Sequence, residues 1–270
     1  MQTLCVVGEE SPSVVAAVAE RLTTSHDRRV VTINRTDSEI DADTIDSHPQ
    51  TDGSFRVDAD GRWIGTGTER SVTGLLDSVA TDYEYALVAG VVHHRLPTVV
   101  IGDVEITPST EIVDSAPTAD DIDIDHLVEL IETVEPHITL ETLVEQAKAS
   151  PNAERSGAIA TFTGRVRAKD SPDDARTEHL SFEKYEGVAE DRLDAISREL
   201  TEREGVFEVL LHHRVGLMKD GEDIVFVVVL AGHREEAFRT VEDGINRLKD
   251  EVPIFKKETT TDEEFWLHET

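Results

Sequence analysis

At 270 residues the chain is long enough for about two domains, each with its own core. Its 57 acidic residues against 26 basic ones leave a net charge of -31, which excludes nucleic acid and anionic membranes as partners, because both need a basic face. Apolar runs stay short of the ~18 residues of a membrane span, no leader pattern opens the chain, and Cys5 is the single cysteine. A reduced, cytoplasmic protein without disulfides or a cysteine-held metal is expected.

The acids are dispersed singly and in pairs, and arginine outnumbers lysine 19 to 7. Such a surface suits high salt, where screening over a few ångströms removes self-repulsion; it predicts a halophilic protein, with an acidic partner-binding surface as the alternative. Residues 1–150 carry a net charge of -20 and residues 151–270 one of -11, so the bases favour the C-terminal part.

Leu4 to Val7 predicts a short buried strand. Val14 to Leu22 predicts a helix with Val14, Val15, Val18 and Leu22 on one face, and Arg29 to Ile33 a second strand. After a polar stretch, a helix over Val72 to Val79 and strands over Tyr85 to Val88 and Thr98 to Ile101 complete an α/β layer within residues 1–115, its sheet mostly parallel. Gly8 stands where a phosphate loop would begin, but the pattern G-x-x-x-x-G-K-[ST] needs a glycine, a lysine and a hydroxyl residue where this chain has Ser13, Val14 and Val15. Cys5-Val-Val-Gly8 and the run from Asp82 to Pro97 resemble the nucleotide-binding accessory protein B of molybdopterin-guanine dinucleotide synthesis. That resemblance implies a P-loop-like layer without a functional loop. Asp103 to Glu135, rich in Asp, Thr, Ser and Pro, has linker composition with room for a short helix at Ile122 to Ile131; an acidic linker is expected over 116–136, before a second domain at 137–270.

In that second part, a helix is expected around Thr139 to Ala149, then a strand from Gly157 to Arg167. Ala158, Ala160, Phe162 and Val166 give the strand an apolar face, and Thr161, Thr163, Arg165 and Arg167 line the other. Two guanidiniums spaced i, i+2 can grip one anion, since each offers a planar fork of donors. A strand over Leu180 to Tyr185 and an amphipathic helix ended by Gly205 follow. Next comes a hairpin of Val206 to Leu217 and Asp223 to Leu230, the second strand continuously apolar and therefore central. Its end delivers His233 and Arg234 to a helix running to Val252, and Pro253 stops that helix before an extended Ile254-Phe-Lys256. Three of the seven lysines, Lys249, Lys256 and Lys257, fall within nine positions here. An acidic chain that gathers its ammonium groups in this way is expected to hold an anion there; the alternative is that Lys249 only closes the helix and Lys256 and Lys257 form a solvated patch. The adjacent pairs His93-His94 and His212-His213 lack partners at metal-ligand spacing.

Gly157 to Arg167, His213-Arg-Val-Gly216, Asp220 to Phe226, His233-Arg234, Lys249 and Pro253 to Glu258 closely resemble, in order, the large catalytic subunit of molybdopterin synthase. The resemblance implies an α/β hammerhead-type domain over 137–270. It implies an enzyme that binds cyclic pyranopterin monophosphate and transfers two sulfurs from the thiocarboxylate of a ubiquitin-like small subunit, making molybdopterin. It places Arg165, Val166, Arg167, His233, Arg234, Lys249, Lys256, Lys257 and Glu258 at the substrate, with Lys249 and Lys256 catalytic. It further implies a homodimer within a heterotetramer, and neither metal nor cofactor. The alternative is a non-enzymatic adaptor whose lysines accept a ubiquitin-like modifier. Such an acceptor needs exposed lysines but has no use for the accompanying arginines and histidine.

Overall fold

The computed structural model describes residues 1–26, 28–36, 53–169, 171–185, 187–260 and 264–267. Its contacts divide the chain into unit 1, Met1–His137, and unit 2, Ile138–Thr270. Among the described residues no helix is long and apolar enough to cross a membrane.

Unit 1 comprises β1 (Gln2–Gly8), α1 (Ser11–His26), β2 (Val30–Asn34), β3 (Gly53–Val57), β4 (Trp63–Gly67), α2 (Val72–Val79), β5 (Tyr85–Ala89), β6 (Thr98–Ile101), β7 (Ile112–Ala116) and α3 (Ile124–Ile131). Five strands form one sheet in the order β2-β5-β1-β6-β7, with every pairing parallel. Successive side chains of a strand point to opposite faces, and β1 shows it: Leu4 and Val6 pack with Val14, Val18, Leu127 and Ile131, while Cys5 and Val7 pack with Leu76 and Leu96. Both faces are covered, which is why these strands read as unbroken apolar runs. The stretch expected as a linker is built into this unit instead. Ile112–Ala116 adds the fifth strand, and Asp123 caps α3 by accepting from the backbone N–H groups of Asp125 and His126. The hairpin β3–β4 lies in the polar stretch before α2, for which the sequence predicts no element.

Unit 2 comprises α4 (Leu140–Lys148), β8 (Ala158–Arg165), β9 (Thr177–Lys184), α5 (Val188–Thr201), β10 (Val206–His213), β11 (Gly216–Lys219), β12 (Asp223–Ala231), α6 (Arg234–Glu251), β13 (Ile254–Thr260) and β14 (Glu264–Leu267). Two antiparallel sheets form, β10-β12-β8 and β11-β9-β13-β14. The central strand β12 turns Val225, Val227 and Val229 toward Ile196, Leu200, Val241 and Ile245 of α5 and α6. It turns Phe226, Val228 and Leu230 toward Leu143 and Ala147 of α4. The expected hairpin is corrected in one respect. Its first arm breaks after His213, and Gly216, at a φ of +84°, starts a separate strand, β11, which pairs with β9 rather than β12. A chain that must change sheets needs a corner, and glycine reaches that backbone conformation without strain.

Candidate active site

Three elements of unit 2 bring cations to one cavity of about 480 Å³. The first is the end of β8, which supplies Phe162, Thr163, Arg165 and, just beyond the strand, Arg167. The second is the last part of α6, with Ile245 and Leu248 as apolar wall and Lys249 beside them. Lys249 occupies the final turn, where the helix dipole favours a cation. The third is β13. Residues alternate along it, so Ile254, Lys256 and Glu258 line the cavity, while Phe255 between them is exposed. Lys256 pairs in register with Phe182, and Glu258 with Leu180. Both apolar partners are buried beneath the site with Met218 and Val166.

Four cations and one carboxylate therefore line a recess in a strongly acidic chain. Two of the charged groups are held by named partners. The Arg165 guanidinium donates to the Gly221 carbonyl at 3.1 Å from Nε and at 2.5 Å from Nη2, and Nε lies 3.2 Å from Asp223 Oδ1. The turn before β12 thus orients it. Glu258 accepts a hydrogen bond from the Thr177 hydroxyl, which fixes one carboxylate oxygen among the cations.

Other residues expected at the substrate lie elsewhere in the unit. Val166 is buried, its side chain packed into the small core with Leu180, Phe182 and Met218; its N–H donates to the Glu222 carbonyl and its own carbonyl accepts from Gly221 N–H. Its place is to anchor the turn that holds Arg165. Lys257, one residue on from Lys256, is paired with Ser181 and Trp266 and so points to the other face of the sheet. His233 is the N-cap of α6 and Arg234 its first residue; Lys249 is sixteen positions further on, which at 1.5 Å per residue is about 24 Å along the axis. A single chain does not bring these two groups together.

Sequence reasoning passed over His213 and Thr177, both of which line the cavity. His213 is only 9% exposed, its ring edge-on to Phe182 with centroids 4.9 Å apart. The signal was present in the adjacent pair His212-His213. Neighbours on a strand face opposite ways, and here His212 stacks near Phe226 while His213 turns to the cavity.

The sequence model of the family described as MoaE protein matches residues 134–251. A protein of Haloferax volcanii described as a probable molybdopterin synthase is 53% identical over 272 residues, covering 100% of both chains. The molybdopterin synthase catalytic subunit of Pyrococcus abyssi is 34% identical over 124 residues, which is 46% of this chain and 82% of that protein. A crystal structure of molybdopterin synthase from Staphylococcus aureus, 33% identical, covers 50% of this chain and 94% of its own, with a TM-score of 0.44. With 53% identity to one relative over the whole of both chains, the chain belongs to the MoaE family of molybdopterin synthase catalytic subunits.

Proposed function

We propose that this chain converts cyclic pyranopterin monophosphate to molybdopterin, drawing two sulfurs from the C-terminal thiocarboxylate of a ubiquitin-like small subunit. The observation that carries the reading is the convergence of Arg165, Arg167, Lys249 and Lys256 on one recess. A cyclic phosphate and a carboxylate-like sulfur donor are both anions, and both enter the same site. Paired guanidiniums suit the phosphate, because their forks of donors match its oxygens. The ammonium groups suit the places where charge appears on oxygen as sulfur attacks and the ring opens, since fixed cations there need no rearrangement. After attack the carrier is joined to the pterin through a thioester, and water must release it. The sulfur arrives on the partner, so the chemistry asks nothing of Cys5, which is fully buried in unit 1.

The roles assigned by resemblance to His233 and Arg234 agree with this site only if a second copy supplies them, given their distance from Lys249 along α6. A homodimer, each protomer carrying one small subunit, is therefore part of the proposal. The adaptor alternative leaves the arginines of the recess without a task. Mixing the purified chain with thiocarboxylated small subunit and the cyclic pterin tests the reading. Dithiolene product is expected; covalent attachment of the small subunit to lysine without product would overturn it.

A further inference from the structure

We propose that His213 is the general base that activates the water releasing the small subunit from its thioester with the pterin, an inference that rests on the function proposed above. The cavity wall holds six ionisable side chains: Arg165 and Arg167 from β8 and its continuation, Lys249 from α6, Lys256 and Glu258 from β13, and His213 at the end of β10. Water attacking a thioester needs a group that takes a proton near neutral pH. Guanidinium and ammonium groups are ordinarily protonated there. Glu258 is engaged by the Thr177 hydroxyl. Imidazole is the side chain whose ordinary titration falls between pH 5 and 8.

The geometry also selects the nitrogen. His213 Nδ1 lies 2.7 Å from the Arg214 carbonyl oxygen. A carbonyl only accepts, so Nδ1 carries the hydrogen and donates it, and in the neutral ring Nε2 is the basic atom. The edge-on contact with Phe182 and the strand register of β10 against β12 fix the ring plane. The same hydrogen bond steadies the imidazolium once a proton has been taken, the role a fixed acceptor plays behind many catalytic histidines. The step balances: the water oxygen bonds to the acyl carbon, its proton passes to Nε2, the carbon–sulfur bond breaks, and sulfur leaves on the pterin as thiolate. The carrier departs as a carboxylic acid, which loses its remaining proton to solvent and becomes an ordinary carboxylate.

The test uses the full chain with thiocarboxylated small subunit and cyclic pterin in single turnover, sampled by mass spectrometry of the quenched complex. In His213→Asn, the amide N–H can still donate to the Arg214 carbonyl, but no basic nitrogen remains. Hydrolysis is expected to slow about a hundredfold, with the carrier–pterin thioester accumulating while the first sulfur transfer keeps its rate. The acidic limb of the pH–rate profile should vanish, and added imidazole should restore hydrolysis in His213→Ala. Equal rates and profiles in native chain and His213→Asn would overturn this inference alone. Absence of product from the native chain would overturn the proposed function with it. Should both variants unfold, the native chain decides: a hydrolysis rate unchanged in deuterium oxide removes general-base catalysis by His213 from the step.

Discussion

Lys249 sits where two explanations meet, because a cation in the last turn of α6 both complements the helix dipole and faces the cavity. The explanations differ in magnitude. Losing a dipole contact costs about 0.3–1 kcal/mol of stability with little change in rate, whereas losing a fixed stabilising donor costs about a hundredfold or more in rate. Lys249→Ala is expected to keep its circular dichroism and to lose dithiolene formation by at least that factor. Lys249→Arg keeps the charge but does not readily deprotonate, so activity retained in it assigns electrostatic work. Cys5 is a different kind of residue. Burial pushes its thiol up to about 12, and its sulfur donates to the Val91 carbonyl at 2.8 Å. Thiol reagents at about pH 8, where an ordinary thiol begins to ionise, should leave it untouched until the protein is unfolded, and rapid native-state labelling would contradict that. Lys249, Lys256 and the arginine pair were legible in the sequence because lysine is scarce and their spacing unusual. The neighbours Lys256 and Lys257, and the pair His212 and His213, were not separable without knowing which face of each strand is covered. Thr177 gave no signal, since a lone threonine acquires its role only through a carboxylate on the neighbouring strand, 81 positions away.

At the scale of elements, the link between β1 and α1 decides the character of unit 1. Only Glu9 and Glu10 separate Gly8 from the first residue of α1, and both carry charge of the same sign as a phosphate. A phosphate cradle needs a longer glycine-rich turn and a lysine. Isolated nucleotides are therefore expected neither to bind at micromolar concentration by calorimetry nor to be hydrolysed by the full chain. Gly8 has another reason to be glycine. Its φ is +115°, and a Cβ there would lie 2.0 Å from the Ile101 carbonyl oxygen, because β6 runs directly beside it. Gly8→Ala should destabilise unit 1 by about 2 kcal/mol or more, read as a lowered thermal midpoint; an unchanged midpoint would show that the strand pair can part at no cost. The apolar strands and amphipathic helices were readable because burial imposes their periodicity. β7 was not, since an edge strand carrying Asp114 and Ser115 need not be apolar. Nor was the switch of sheet between β10 and β11, where a glycine corner looks like any other turn.

For the whole molecule, charge governs how stability responds to the solvent. The net charge of -31 repels itself over about 10 Å at 0.1 M salt and about 3 Å at 1 M. Ion pairs tie α6 to its surroundings: Arg247 holds Glu199 of α5 at 2.6 Å and Glu251 of its own helix at 2.7 Å, and Arg203, just beyond α5, reaches Asp243 at 2.6 Å. Partly exposed pairs contribute little each, so removing salt strengthens them less than it strengthens the repulsion. The thermal midpoint is expected to fall as monovalent salt drops below about 0.5 M. A midpoint that is flat from low to molar salt would end the halophilic reading.

Because α6 carries His233 at its head and Lys249 in its last turn, it acts as a ruler as well as a wall. Each residue added to an α-helix advances the remainder by about 1.5 Å and rotates it by about 100°. One residue inserted anywhere between these ends would swing Lys249 off the cavity while leaving its chemistry intact. Outward-facing positions such as Glu242 and Asn246 should accept almost any side chain, yet their neighbourhood should accept no insertion. In a library scored by growth, α6 would then stand out as a segment free in spelling and fixed in length.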